Sequence, residues 1–128
     1  MIPEGLCYTK DHEWARVDGG ELVLGITHHA QQALGDLTYV ELPKIGKVCK
    51  AGDALLVVES HKAASDVYAP VASTVAAVNQ ALADAPELIN HDPYGQGWIC
   101  RFKDWDREGL KSLLTPEAYR KLLASESA

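Results

Sequence analysis

The stretch Leu55-Leu56-Val57-Val58-Glu59-Ser60-His61-Lys62-Ala63-Ala64-Ser65-Asp66-Val67-Tyr68-Ala69-Pro70-Val71 decides the fold. Residues 55–58 are continuously apolar, and Val67, Ala69 and Val71 alternate with polar or aromatic neighbours, so the segment predicts two strands, the second with one buried face. Between them lie Ser60, His61, Lys62 and Ala63, small or polar residues around a single long amine. That is the composition of a hairpin tip, where backbone groups are satisfied by water and the flanking strands hold the loop outward. An exposed lysine is protonated at neutral pH and a weak nucleophile by itself. Lys62 therefore reads as a group on which another enzyme acts.

Outward from this hairpin the pattern stays mainly β. Residues 6–26 predict an N-terminal hairpin turned at Asp18-Gly19-Gly20, residues that tolerate positive φ. Thr27 is placed to cap a short helix over 28–34, with Gly35 just past its end. A strand follows over 37–42, with Leu37, Tyr39 and Glu41 on one side and Val40 and Leu42 on the other. Pro43 and Gly46 break it, a short strand covers 48–50, and Ala51-Gly52-Asp53 turns into the apolar strand before Lys62. Beyond the hairpin come a strand over 74–78, a loop containing Pro86, Pro93, Gly95 and Gly97, and a strand over 98–102. The punctuation on the two flanks of Lys62 is weakly repeated. At the C-terminus the period changes: Leu110, Leu113 and Leu114, then Tyr119, Leu122 and Leu123, fall at helical spacing, the second set behind Thr115-Pro116. Two short amphipathic helices are expected, padding the sheets, with residues 125–128 fraying.

Composition narrows the function classes. The chain has 128 residues, 47% of them hydrophobic, enough for one self-sufficient core. Twelve basic against eighteen acidic residues leave a formal charge of −6, which opposes binding to phosphate backbones or anionic lipid, so neither nucleic acid nor a membrane is an expected partner. No apolar run approaches the roughly 20 residues of a spanning helix. The N-terminal residues lack the pattern of a signal peptide, so a cytoplasmic, bacterial protein is expected, or a mitochondrial-matrix one if the chain is a mature eukaryotic form. Cys7, Cys49 and Cys100 form no Cys-x-x-Cys pair and read as free thiols, Cys49 and Cys100 as small buried apolar groups. His28 and His29 are adjacent on a helix and point about 100° apart, and no carboxylate or cysteine at familiar spacing joins them with His12, so no metal site is expected.

The pattern Val58-Glu59-Ser60-x-Lys62-Ala63-Ala64-Ser65-Asp66-x-Tyr68-Ala69-Pro70-Val71 resembles the lipoyl-lysine hairpin of the glycine cleavage system H-protein family. The likeness continues through residues 6–14, 23–35 and 86–98. It implies a flattened β-barrel, or barrel-sandwich hybrid, built from two similar halves and forming a single lipoyl-carrier domain over 1–128, with 106–124 as a C-terminal helical segment. It also implies that lipoic acid is joined to Lys62 as an amide by a lipoate ligase or a lipoyl or octanoyl transferase. The loaded chain would be a non-catalytic, monomeric shuttle. A pyridoxal-phosphate glycine decarboxylase (P protein) passes an aminomethyl group to the oxidised arm. A tetrahydrofolate-dependent aminomethyltransferase (T protein) collects the one-carbon unit and releases ammonia. A dihydrolipoyl dehydrogenase (L protein) reoxidises the dithiol with NAD.

The family holds its loaded arm with acidic residues, and the matching positions here are Glu13 and Asp66. Without the resemblance, Glu13 reads as a solvated turn carboxylate, and Asp66, like Glu59, as a strand-edge charge that discourages aggregation. A polar contact that another family member makes from the short helix falls on Ala33, His61 replaces a small apolar residue, and Ser73 replaces a glycine, which leaves the geometry of that turn open. Other readings stay available from the residues: a lipoyl-relay protein that passes lipoate to other complexes or serves another redox enzyme, a Schiff-base lysine in a small enzyme, or an unmodified interaction domain. A biotin carrier fits less well, since its lysine lies between two methionines and the only Met here is residue 1. Glu59 and Asp66 would oppose the amine activation that Schiff-base chemistry needs.

Overall fold

The computed structural model describes residues 2–127. Nine strands form two antiparallel sheets among these residues. The larger runs β1 (Cys7–Tyr8), β2 (Glu13–Asp18), β3 (Glu21–Ile26), β9 (Cys100–Lys103), β8 (Ser73–Val78) and β5 (Val48–Cys49) in spatial order. The smaller has β6 (Ala54–Ser60) between β4 (Leu37–Glu41) and β7 (Ala64–Tyr68). The fold is mainly β, as expected. The two sheets are not joined by a continuous ladder into a closed barrel. They face each other across a core that includes Leu22, Leu24, Val58, Val67, Val75 and Phe102, an arrangement compatible with a barrel-sandwich hybrid.

Local chemistry explains most boundaries. Strands β2 and β3 pair from Glu13↔Ile26 to Asp18↔Glu21, and the two residues between them, Gly19 and Gly20, have φ of 59° and 84°. Positive φ at both centres of a two-residue loop matches the right-handed twist of the strands. The helix α1 (His28–Leu34) is capped by Thr27, whose hydroxyl accepts from the Ala30 N–H, and ends at Gly35, φ 81°. Gly25 has no room for a side chain, since a Cβ there would stand 2.5 Å from the Trp14 indole.

Several expectations are revised. Leu37 and Val40 are both buried, each 4% exposed, although strict alternation puts them on opposite faces. The register shifts between Leu37 and Tyr39, and this bulge resets the alternation and turns Tyr39 outward. The segment read as a loop around Pro86 contains two single-turn helices, α2 (Ala81–Asp84) and α3 (Leu88–His91). Ser73 opens β8 without positive φ, and its hydroxyl donates to Val71 O at 3.0 Å, so that turn does not depend on glycine.

At the C-terminus, α4 (Arg107–Leu110) is a single turn capped by Asp106, and α5 (Pro116–Ser127) is the longer helix. It continues through Ser127 where fraying was expected, and Ala128 lies outside the described residues. Tyr119 of α5 stacks on Tyr8 with ring centroids 4.6 Å apart, within a second apolar cluster that includes Leu6, Trp14 and Val23. The helix thus pads the larger sheet, as its spacing predicts. Cys49 and Cys100 are buried free thiols, and Cys7 is half-buried. Among the described residues no helix is long and apolar enough to cross a membrane.

Candidate functional site

Lys62 sits at the exposed end of the β6–β7 hairpin, beyond the last ladder pair, Glu59↔Ala64. The tip closes on itself. Ser60 N–H donates to Ala63 O at 2.8 Å, while the Ser60 hydroxyl donates to the same carbonyl and accepts from Ala63 N–H, both at 3.3 Å. With these backbone groups satisfied, the tip needs no cover from the rest of the chain. Below it, Val58 and Val67 enter the core and anchor both strands.

The lysine stem faces the end of α1. A shallow depression of ≈ 200 Å³ is lined by Leu34, Gly35, Asp36, Ser60, His61 and Lys62, and a Cβ on Gly35 would lie 3.8 Å from Lys62 Cε. Asn90 of α3 braces this floor. Its amide donates to Gly35 O at 2.8 Å and Gln31 Oε1 at 2.9 Å, and its Oδ1 accepts from Leu37 N–H at 2.9 Å. No local pattern marks Asn90, because all three partners lie more than fifty positions away. Ala33 is exposed on α1 and offers no polar atom beyond its backbone.

Glu13 is not a solvated turn residue. It is 2% exposed, with Oε1 accepting from Thr9 Oγ1 at 2.6 Å and Oε2 from Tyr68 N–H at 2.9 Å. Burial pushes its carboxyl pKa above the usual range, and the bonds from Thr9 and Tyr68 work in the opposite direction. Thr9 also accepts from the Glu13 and Asp11 N–H groups, so one hydroxyl organises the turn before β2. A cavity of ≈ 270 Å³ opens beside Glu13 among Thr9, Lys10, Tyr68, Pro70 and Leu113.

Asp66 is exposed on β7, two residues before Tyr68, so both project to the same face of that strand. Glu13 and Asp66 are linked through β7 and do not share a hydrogen bond among those described. From Ala64 to Tyr68 the strand advances roughly 13 Å at about 3.3 Å per residue, which separates the lysine tip from the Glu13 cavity. His28 and His29 diverge as their adjacency requires. The His28 ring lies 3.0 Å from the Gln31 amide, whereas the His29 ring packs beside His12 at a centroid distance of 4.5 Å.

The family model described as glycine cleavage H-protein matches residues 6–126. The chain belongs to the glycine cleavage H-protein family. It is 53% identical over 126 residues to the glycine cleavage system H protein of Thermus thermophilus, covering 98% of both chains. It is 52% identical over 127 residues to the same-named protein of Alkalilimnicola ehrlichii, again covering 98% of each. A crystal structure of the glycine cleavage system H protein from Mycobacterium marinum superposes with a TM-score of 0.84 at 36% identity, covering 99% of this chain and 100% of that one. Glycine cleavage H-proteins carry lipoate, and a member of this family is a carrier component of its system, not one of its catalysts.

Proposed function

We propose that Lys62 is the lipoyl-attachment residue and that the chain shuttles the aminomethyl group of glycine among the P, T and L proteins. The observation that carries this reading is a single exposed lysine on a self-closed β-turn, within a chain that matches the family almost end to end. Attachment joins Lys62 Nζ to the activated lipoyl carboxyl as an amide, displacing the activating group and removing the lysine charge. When bound, lipoate supplies a dithiolane that accepts the aminomethyl group and is later restored by dithiol oxidation. The chain's own contribution is to present, tether and shelter. The hairpin presents the amine to the attaching enzyme, and tethering raises the effective concentration of cargo at each partner.

The residues suit such a group. The floor at Leu34 and Gly35 gives an extended lysine an apolar rest, and the Glu13 cavity lies along the strand that leaves the tip. A carboxylate there would pair with a terminal ammonium on the loaded arm, with Asp66 as a second, exposed partner. The carrier would work as a monomer in a bacterial cytoplasm, a placement supported by its bacterial relatives.

The decisive experiment is intact mass after expression with lipoate and a lipoate ligase. One lipoyl increment, lost in Lys62→Arg, supports attachment, and its absence from the unsubstituted chain eliminates the reading. Glycine-dependent loading by the P protein then separates a glycine cleavage shuttle from a lipoyl relay. Glu13→Ala and Asp66→Ala should each speed loss of the aminomethyl group, and unchanged rates would remove both residues from the arm's shelter.

A further inference from the structure

Away from the hairpin, three side chains from separate elements converge at the N-terminal side of the larger sheet. His12 stands in the turn before β2, His29 in the first turn of α1, and Glu126 in the last turn of α5. Glu126 Oε1 lies 3.2 Å from His12 Nε2 and 3.8 Å from His29 Nε2, and one ligand-type atom from each residue lies within 4.8 Å of the other two. We propose that His12, His29 and Glu126 form a binding site for one divalent transition-metal cation, with zinc as the reference ion.

Two of the three donor spacings suit such an ion as they stand. Donors about 2.1 Å from a tetrahedral zinc stand roughly 3.4 Å apart, and the two nitrogen-to-carboxylate distances, 3.2 and 3.8 Å, bracket that value. Two imidazoles with one carboxylate are a donor set that borderline divalent ions favour, leaving the fourth position for water. The side chains of His29 and Glu126 are each 40% exposed, so the site has an open edge for entry.

Two further observations favour a cation over a simple ion pair. His12 is held from behind. Its Nδ1 is 2.8 Å from the Tyr119 hydroxyl, which is buried and in turn 2.7 Å from Thr27 Oγ1. That chain of hydrogen bonds fixes the ring and aims Nε2 at Glu126, the arrangement that metal-bound histidines use. Second, α5 has no basic residue in its last turn, so Glu126 adds negative charge where the terminal carbonyls already present a partial one. The two imidazole rings, side by side at 4.5 Å and tilted 33°, would repel if both were protonated, whereas a single divalent ion uses both lone pairs and neutralises the helix end. Occupancy would fasten α5 to the turn that carries His12, next to Glu13 at the start of β2.

Chelator-treated full chain should bind one zinc per molecule by calorimetry and give a Co2+ visible spectrum of low-symmetry coordination. His29→Ala and Glu126→Gln, both at partly exposed positions, should each weaken zinc binding by at least about tenfold. Tyr119→Phe, which keeps the ring stack and removes the hydroxyl behind His12, should weaken it about tenfold with an unchanged circular dichroism spectrum. His91→Ala should leave it unchanged. Failure to reach saturable one-to-one binding overturns the proposal. So does zinc binding that either His29→Ala or Glu126→Gln leaves intact, which would place the ion on other side chains.

Discussion

The hairpin tip and the corner around Glu13 answer opposite physical demands. At the tip, Ser60, His61, Lys62 and Ala63 are contiguous, the turn's hydrogen bonds stay within four residues, and His61, Lys62 and Ala63 are exposed. At the corner, Thr9, His12, Glu13, Thr27 and Tyr119, with the backbone N–H of Tyr68, come from four separate stretches of the chain, and each of these polar groups is hydrogen-bonded to another of them. Among the described residues no buried side-chain nitrogen or oxygen lacks a partner. A group that must be handed to other enzymes needs only a stiff stalk, whereas a carboxylate kept from water needs the whole fold to satisfy it.

The sharpest way to break this contrast is at Lys62. Lys62→Arg should abolish the lipoyl increment in the intact mass while shifting unfolding by less than about 0.5 kcal/mol, because an exposed tip side chain contributes little to stability. A large loss of stability would show that the tip is bound into the fold after all. On the other side, Tyr119→Ala should cost about 3–5 kcal/mol in denaturant unfolding, since it removes the stack on Tyr8 and the hydroxyl between His12 and Thr27.

Glu13→Ala should cost about 1–3 kcal/mol, because it strands the Tyr68 N–H and the Thr9 hydroxyl. Glu13→Gln separates charge from shape. Burial raises the folded-state pKa of this carboxyl, so the folded protein holds the proton more tightly than the unfolded chain does. Its favourable contribution is present below the unfolded value of about 4.3 and is lost as pH rises through the folded value. Glu13→Gln should therefore gain on the unsubstituted protein as pH rises across that window, and identical pH profiles would mean that the carboxyl is not desolvated. The smallest effect belongs to Ser60→Ala, which removes two 3.3 Å bonds at an exposed turn and should cost less than about 0.5 kcal/mol with attachment at Lys62 preserved. A cost equal to that of Glu13→Ala would erase the distinction between the two regions.

Legibility divides along the same line. The Thr27 cap, the Gly35 terminus, the Gly19-Gly20 turn and the Lys62 hairpin are visible because each depends on a few neighbouring residues. Only the resemblance puts Glu13 near the arm. Its burial was not readable, since the residues that enclose it include Tyr68, which lies 55 positions away. The bulge between Leu37 and Tyr39 defeated the period-2 reading of β4, because the pairing with β6 decides where the extra residue goes. The single-turn helices α2 and α3 are too short to leave a helical period in the sequence.

By itself, the order of amino acids determined that this chain makes antiparallel strands, that one of its hairpins ends in an available amine, and where its main turns and caps fall. Those features follow from backbone preferences and side-chain alternation over a handful of residues. Only the tertiary structure decided that Glu13 is enclosed, that Asn90 braces the floor beneath Lys62, and that His12, His29 and Glu126 meet. Such meetings are set by how sheets and helices pack, and that packing joins residues whose separation along the chain carries no trace of their contact.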